Sequence, residues 1–348
     1  MVMKRILVIL TVLAAFTEIS NAQNLNKVKA FIEDWQLKGL DTNYVGVHKR
    51  KWTVLANTYV SAMDFDMRSN LVEVEDGSSL KGRSLIDMRS RTHNQVSLGL
   101  YYMGYGLSYS LSLGKGFEKD ISFNLYSSSA GGEFRYHATK NIKGHFHTPS
   151  DMDMDLIGGE AKMENFILNA YYVFNPKKFS YSAAMSNFMV QKKSAGSVLA
   201  GLSLNQTRLH SYEPWLSYSL GRVNMLRIQQ FSLGAGYAYN WVVVPRLVLH
   251  FSEIPMLLVT VNSTTSMKAG EEDDSWEALQ PQGYKDLFGK KTHVSFSHMF
   301  RTSASYMVSD RLSVGATLFY NYFRVGKRSS YFVSTEDWSG RFYVAVRF

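Results

Sequence analysis

Two histidines and three aspartates lie close together in one short stretch, and side chains of these types can ligate a metal ion. His145 and His147 are followed by Asp151, Asp153 and Asp155. Imidazole nitrogens and carboxylate oxygens are common metal ligands. A calcium loop that began at Asp151 would need Gly at its sixth position and Glu at its twelfth, but this sequence has Leu and Lys there. These departures favour a solvated loop strand, and we assign no metal ligand.

Two other polar stretches have simple interpretations. Glu271–Asp274 is an acidic cluster that could attract a cation or a basic partner, but a solvated loop tip is the favoured interpretation. Gln191–Ser197 carries two lysines that could meet phosphate, but lysines at the rim of a sheet are the simpler interpretation. Neither stretch identifies a ligand or a cofactor.

Nucleophilic catalysis would need serine beside histidine, with a third polar group that orients the imidazole. Serine is abundant, and four histidines lie in or beside predicted strands: His137, His210, His250 and His298. The sequence contains no Gly-x-Ser-x-Gly elbow. We assign no catalytic residue and keep a lipid-acting hydrolase as an alternative.

The elements that would position these groups are strands. From about residue 50, large apolar residues recur at every second position, most clearly over 105–113, where the residues between them are Gly or Ser. Many runs approach the roughly nine to eleven residues with which a tilted strand crosses a bilayer. This pattern predicts about twelve strands, with a range of ten to fourteen. The sets of alternating residues are 53–60, 96–102, 105–113, 121–125, 132–139, 166–174, 179–185, 198–204, 231–241, 247–251, 300–308, 312–322 and 342–348.

The connections between these strands differ in length. Residues 175–178, 309–311 and 115–120 have the composition of tight turns, whereas 140–163, 206–228 and 262–291 are long. In a membrane barrel the long loops lie outside and the short turns face the periplasm. The predicted strands do not bring all three long segments to one end. One strand within 179–228 is therefore miscounted.

Both chain termini indicate export to the outer membrane. Phe342–Phe348 has an apolar residue at every second position and ends in an aromatic one. This ending resembles the C-terminal strand by which bacterial outer-membrane barrels are handed to their assembly machinery, so we expect that machinery as a partner. Lys4 and Arg5 precede a short apolar run, and small residues end at Ala22. Residues 1–22 are thus a predicted signal peptide, because the run is too short for a spanning helix.

The segment after the signal peptide differs from the rest of the chain. Apolar residues recur at helical spacing over 24–38, and Gly39 could cap the helix. We predict a short amphipathic helix in a periplasmic segment over 23–49. A disordered tail is the alternative, because a helix this short is marginal alone.

The amino-acid composition fits a barrel with a polar lumen. The chain has 21 Tyr, 21 Phe and 6 Pro, and its mean hydropathy of −0.16 suits strands with one polar face. It has no Cys, which excludes a lipoprotein anchor and disulfides. The net charge of +9 does not indicate nucleic acid in an exported chain. Lysines and arginines near anionic lipid headgroups explain it.

Three short motifs resemble a known family. Gly39–Tyr44, Gln191–Ser197 and Gly236–Tyr239 are similar to landmarks of an outer-membrane family catalogued as a domain of unknown function, number 4421, which is found mainly in Bacteroidetes. The resemblance covers nearly all of the mature chain. It implies a barrel-like protein with no assigned activity and supplies no catalytic residues.

The sequence therefore predicts an all-β fold, a transmembrane antiparallel up-and-down β-barrel over 50–348, in contact with outer-membrane lipid. Its large side chains should face hydrocarbon and its small ones an enclosed axis. We expect a non-enzymatic protein, either a narrow channel or a structural envelope protein, with no cofactor and no nucleic-acid partner. Besides the hydrolase, a soluble secreted β-sandwich is the other alternative, since antiparallel sheets there also alternate.

Overall fold

The computed structural model describes residues 33, 37, 39–69, 72–75, 78–81, 84–90, 94–112, 118–147, 153–212, 225–266, 295–327 and 331–348. The predicted signal peptide lies outside these ranges. So does the predicted helix over 24–38, except for Glu33 and Leu37, which are helical. Gly39 has a φ of 75°, the left-handed conformation of a residue that ends a helix. Within these ranges, no helix has the length and apolar character needed to cross a membrane.

Strands dominate the described residues because of the period-two pattern. One short helix, α1 (Tyr181–Met185), interrupts them. The strands are β1 (Val45–Val47), β2 (Trp52–Ser69), β3 (Val72–Glu75), β4 (Ser78–Lys81), β5 (Ser84–Ser90), β6 (Asn94–Tyr102), β7 (Tyr105–Ser112), β8 (Glu118–Tyr126), β9 (Ala130–Thr139), β10 (Ile142–His147), β11 (Asp153–Leu156), β12 (Ala161–Val173), β13 (Met189–Gln191), β14 (Ala195–Ser211), β15 (Met225–Val244), β16 (Leu247–Ser266), β17 (Phe296–Met307), β18 (Leu312–Lys327) and β19 (Tyr331–Arg347).

Twelve strands close into an antiparallel barrel, which confirms the predicted fold class. The ring runs β2-β19-β18-β17-β16-β15-β14-β12-β9-β8-β7-β6 and returns to β2, because β2 also pairs with β6. Strands β2 and β19 pair along their whole length, from Thr53 opposite Arg347 to Ser69 opposite Tyr331. The far half of β2 also carries a side sheet of β5, β10 and β11. Closure leaves the ring without a free edge.

The two ends of the barrel have different connections. At one end, here called the turn end, short links join neighbouring ring strands at 103–104, 127–129, 245–246 and 308–311. At the other end, the loop end, β9, β14 and β16 finish and β12, β15 and β17 begin. The strands that flank the three long segments predicted from the sequence thus all meet that one end, as expected of a membrane barrel.

The predicted strand over 179–185 is wrong, and it accounts for the miscount. Residues Tyr181–Met185 form α1, and all five are buried. A turn is present at 176–178, closed by a hydrogen bond from the Phe179 amide to the Asn175 carbonyl at 3.1 Å, but it enters a longer segment that runs to β14 and does not join two strands directly. A run this short fits periods of 2 and 3.6 about equally well. The remaining twelve predicted strands correspond to the twelve ring strands.

The two faces of the ring differ as predicted. In β6, Val96, Leu98 and Leu100 are exposed, whereas Gln95 and Ser97 at the alternate positions are buried. In β19 the alternation persists toward the C-terminal end of the strand, with Phe342 72% exposed and Tyr343 buried. The large apolar groups therefore point away from the axis. Two stacked sheets would have buried them against each other, so the β-sandwich alternative is wrong.

Candidate functional site in the barrel lumen

One connection at the turn end does not stay outside the barrel. Residues 174–194, here called the plug, join β12 to β14 and fold back into the lumen. The Ser180 hydroxyl caps α1 by accepting a hydrogen bond from the Ala183 amide at 3.1 Å. After α1, strand β13 pairs with β1 from the N-terminal segment. The plug is therefore tied to a second part of the chain that crosses the same mouth.

The plug packs as a hydrophobic core. Phe179, Tyr181 and Phe188 are each at most 1% exposed. The Tyr181 ring lies 4.4 Å from the Tyr171 ring and 5.9 Å from the Tyr126 ring on the barrel wall. Burial of one such aromatic side chain typically contributes about 1.5–3 kcal/mol. This part of the lumen is thus filled by side chains.

Hydrogen bonds fix the plug to the wall. Asn187 donates to the Tyr343 hydroxyl at 3.0 Å and also bonds Ser305. Arg347 donates to the Asn187 carbonyl at 3.3 Å. Ser303 donates to the Ala184 carbonyl at 3.0 Å. Two wall strands, β17 and β19, therefore hold one side of the plug.

The three sequence landmarks meet at the plug. Lys192 donates through its side chain to the Thr42 carbonyl at 2.9 Å, and its amide donates to the Tyr44 carbonyl at 2.7 Å. Gly196 pairs with Tyr239 across β14 and β15. Lys192 and Lys193 remain exposed at the turn-end rim, in agreement with the rim interpretation. The three motifs, which are distant in the sequence, thus lie on the plug or on the segments that contact it.

A histidine stands beside the plug at the turn end. His48 lies before β2, and its amide donates to the Phe188 carbonyl at 3.5 Å. Burial, reinforced by the positive charges of Arg347 and Arg50, lowers the pKa of His48 to about 4, although Asp310 acts in the opposite direction. His48 is therefore neutral at pH 7.

A serine, a histidine and an asparagine form a hydrogen-bonded chain under the plug. His250 Nε2 lies 3.1 Å from Ser252 Oγ, and His250 Nδ1 lies 2.7 Å from Asn240 Oδ1. The Asn240 amide donates to the Ser180 carbonyl at 2.7 Å, which turns its oxygen toward His250. The Tyr181 hydroxyl is 3.1 Å from Ser252 Oγ. Ser252 and His250 are each 2% exposed, so the arrangement resembles a catalytic triad in geometry but has no access to solvent.

Sequence reasoning missed this hydrogen-bonded serine, histidine and asparagine, although a signal was present. His250 and Ser252 are two residues apart on a predicted strand and so share a face. Asn240 lies directly opposite His250 across the β15–β16 hairpin. The tight connection at 245–246 would have placed the three groups together.

A charged layer lies above the plug, centred on Arg135. The guanidinium donates to Asp120 at 2.6 Å and also bonds Asp337 and the Tyr59 hydroxyl. Both aspartate side chains are 1% exposed. His137 stands 3.8 Å from Asp337. These groups come from β2, β8, β9 and β19, so the layer ties together strands around one side of the ring.

A second ion pair completes the layer. Arg301 donates to Glu133 at 2.7 and 3.0 Å and to the Asn321 side chain at 2.8 Å. The Tyr126 hydroxyl donates to Glu133 at 3.3 Å. A cavity of about 20 Å³ lies between Arg135 and Arg301, which is room for about one water molecule.

A third, apolar layer lies toward the loop end. Its buried members come from the inner faces of the ring and from the side sheet. They are Met63, Phe65, Ile86, Met88, Ile142, Phe146, Leu156, Ala161, Met163, Leu209, Leu226, Ile228, Val325 and Val333. The described residues thus fill the lumen at three successive levels.

The histidines singled out from the sequence are dispersed. His137 and His250 are buried in the lumen, whereas His298 lies on the outer face next to Glu253 and His210 lies 3.5 Å from Glu164. The serines beside His298, Ser295 and Ser297, are buried on the inner face. The outer-face serine and histidine expected of a lipid-acting hydrolase are therefore not brought together at His298.

The predicted metal stretch forms a hairpin outside the ring. On β10 and β11, His145 Nδ1 lies 3.0 Å from Asp155 and His147 Nδ1 lies 2.7 Å from Asp153. The hydrogen bond to Asp155 and the neighbouring carboxylates raise the pKa of His145. Asp151 lies outside the described residues. Among those described, no three His, Asp or Glu side chains are placed to hold a metal ion.

A family model described as "Domain of unknown function (DUF4421)" matches residues 39–348. The chain has no match among curated proteins.

Solved structures with a similar architecture are barrels with little sequence identity. The outer membrane protease OmpT from Escherichia coli is 9% identical, with a TM-score of 0.38 over 86% of this chain and 98% of that chain. The translocator domain of the autotransporter NalP from Neisseria meningitidis is 11% identical, with a TM-score of 0.31 over 97% and 99%. An outer membrane channel from Pseudomonas putida F1 is 9% identical, with a TM-score of 0.27 over 88% and 99%.

Proposed function

This chain belongs to the family defined by the domain of unknown function DUF4421, and we propose that it is a non-enzymatic β-barrel of the outer membrane with a closed lumen. Of the two roles considered from the sequence, this favours a structural envelope protein over an open channel. Export through the signal peptide, delivery by the barrel assembly machinery through the strand ending at Phe348, and an origin in Bacteroidetes are parts of the same proposal.

The outer face supports a membrane location. Exposed residues such as Leu98, Leu107 and Phe342 stand 57–72% exposed around the ring. Exposure of this apolar surface to water would cost about 25 cal/mol of free energy per Å². A band of apolar side chains roughly 25 Å tall is what a lipid-spanning barrel presents.

The filled lumen is the observation that favours the structural role over the channel. The plug closes the turn end, Arg135 and Arg301 cross the middle with their carboxylate partners, and the apolar layer lies toward the loop end. The cavity of about 20 Å³ between the two arginines is too small for a hydrated ion or a nutrient.

Planar-bilayer recording tests the closed lumen. Purified full-length protein is expected to give no stable conductance steps after insertion. Insertion is checked by flotation with lipid vesicles and by the temperature-dependent gel shift of a folded barrel. Steady single-channel steps from folded wild-type protein would refute the structural role and favour the channel.

The Ser252–His250–Asn240 chain supports a second candidate function, hydrolysis through a serine nucleophile. Ser252 would pass its proton to His250 Nε2 and attack an ester carbonyl, and His250 would give that proton to the departing alcohol. Water would then hydrolyse the acyl-enzyme, which releases the acid and restores the Ser252 hydroxyl. Because Tyr181 covers Ser252, this chemistry needs displacement of the plug. A fluorophosphonate probe separates the two candidates: labelling that Ser252→Ala abolishes would support the hydrolase, whereas the closed barrel predicts no labelling.

A further inference from the structure

One ionisable residue interrupts the apolar outer face of β16. Glu253 is the fourth of seven successive outward positions on that strand, and the other six are apolar. The seven are Leu247, Leu249, Phe251, Glu253, Pro255, Leu257 and Val259. A position in the middle of such a run lies at the depth of hydrocarbon. Ionisable residues there are costly and mark functional surfaces.

The carboxylate has one partner on the neighbouring strand. His298 of β17 faces outward too, and its Nδ1 lies 2.8 Å from Glu253 Oε1. The imidazole is flanked by the rings of Phe296, Tyr320 and Tyr322, with centroids 5.3–5.7 Å away. The side chains of the pair remain 24% and 34% exposed. Both groups thus face lipid rather than the lumen.

Each member of the pair keeps one free polar atom. Within the described residues, this bond is the only side-chain hydrogen bond of Glu253 and of His298. Glu253 Oε2 is left as an acceptor, and in a pair of zero net charge Nε2 of His298 carries a proton and is left as a donor. Acyl chains offer a partner to neither atom, so the pair gains from any surface that supplies both.

The surrounding face is suited to close approach of another protein. Next to the pair, the outward positions toward the turn end include small residues, Thr302, Ala304 and Ala316, among the larger Phe300 and Leu318. Toward the loop end, Leu257 is 61% exposed and offers apolar contact area. The small positions let a partner approach the barrel wall between the larger side chains and bring its own polar groups to the pair.

We propose that this face, formed by β16 and β17, is the interface at which two copies of the chain associate in the membrane. The pair is self-complementary, because His298 Nε2 of one copy can donate to Glu253 Oε2 of the partner copy, and the reverse. A twofold axis generates such reciprocal contacts automatically. The four groups together form a charge-balanced ring of hydrogen bonds screened from lipid.

Single-cysteine cross-linking tests this interface without background, because the chain has no Cys. Leu257→Cys places a thiol beside the pair. Leu98→Cys on β6 is the matched control, since it is also an outward leucine, 63% exposed, five strands away around the ring. Both full-length variants are reconstituted in vesicles at low protein density and treated with a short bismaleimide.

Covalent dimers are expected from Leu257→Cys and not from Leu98→Cys. Adding Glu253→Gln to Leu257→Cys should lower the dimer yield by about tenfold or more, equivalent to about 1.4 kcal/mol. The temperature-dependent gel shift shows that the double variant is folded. Equal yields from the two cysteine positions, an unchanged yield with Glu253→Gln, or a monomer that retains lipid at this face would overturn the interface. The closed barrel stands in each of these cases.

Discussion

Replacing Arg135 by methionine tests whether the charged layer holds the barrel together. The substitution keeps the apolar stem and removes the guanidinium that bonds Asp120, Asp337 and Tyr59. Both carboxylates, with side chains 1% exposed, then lose their main counter-charge. The adjoining cavity of about 20 Å³ has room for about one water molecule, which does not replace the lost positive charge.

The expected magnitude follows from the contacts that remain. Removing one partner of a buried ion pair typically costs about 3–5 kcal/mol. Asp120 keeps its hydrogen bond from Tyr59, and Asp337 keeps His137 at 3.8 Å and the Asn165 amide at 3.5 Å. These contacts place the loss near the lower limit, about 3 kcal/mol. That lowers the folding equilibrium constant by about a hundredfold.

The assay is equilibrium unfolding in urea of protein reconstituted in thin-bilayer vesicles, followed by the gel shift and by tryptophan fluorescence. Arg208→Met is the matched control, because Arg208 faces outward, 3.5 Å from Glu164, with its side chain 35% exposed. Glu164 keeps its bonds from Lys162 at 2.6 Å and Tyr136 at 3.0 Å when Arg208 is replaced, so the loss should be at most about 1 kcal/mol. A triple variant with Arg135→Met, Asp120→Asn and Asp337→Asn should recover most of the loss, because no buried charge is left unpaired.

Two results would refute this reasoning. Arg135→Met could lose no more stability than Arg208→Met, or the triple variant could be as unstable as Arg135→Met alone. Either outcome would mean that these carboxylates are hydrated in the folded protein and that the lumen is wetter at this level than the packing indicates.

Three further predictions concern the wall and the plug. Gly236→Ala should destabilise the barrel by about 1–3 kcal/mol, since its Cβ would lie 1.9 Å from a backbone oxygen of β16; Gly340→Ala, with no atom within 4 Å, should be neutral in the same urea assay. The plug should loosen as the pH falls from about 6.5 toward about 4. The pKa of His48 is lowered when the plug is in place, so the state with the plug released binds the proton first. Hydrogen exchange of α1 measures the loosening, and His48→Gln should remove its pH dependence. Tyr181→Phe should cost about 1 kcal/mol of unfolding free energy through the lost hydrogen bond to Ser252, and an unchanged urea midpoint would contradict that contact.

The strands were predictable because burial on a closed ring imposes period two on every wall residue. Leu98 and Phe342 lie on the outer face, as the alternation required. The predicted strands could not place all three long loops at one end of the barrel, and this conflict indicated a real error. One extra strand in the count moves every later connection to the opposite end. The structure resolves that conflict with a buried helix at Tyr181–Met185.

The plug and the charged layer were not predictable in the same way. Phe179 and Tyr181 alternate like wall residues, but they are buried on all sides within the lumen, and a pattern of spacing carries no information about what surrounds a segment. Arg135 and Asp337 are 202 residues apart, so their meeting depends on the register of every intervening strand. Ser180, which caps α1, was the local signal for a helix.

Oxygen accessibility of spin labels along β6 tests the central claim most directly, namely that large side chains face hydrocarbon and small ones a closed axis. The Cys-free chain allows one label at a time at Leu98 and at its neighbour Ser97, in vesicles. High accessibility to lipid-dissolved oxygen at Leu98 and low accessibility at Ser97 is the predicted result. Equal accessibility at the two positions, or the reverse order, would contradict the account.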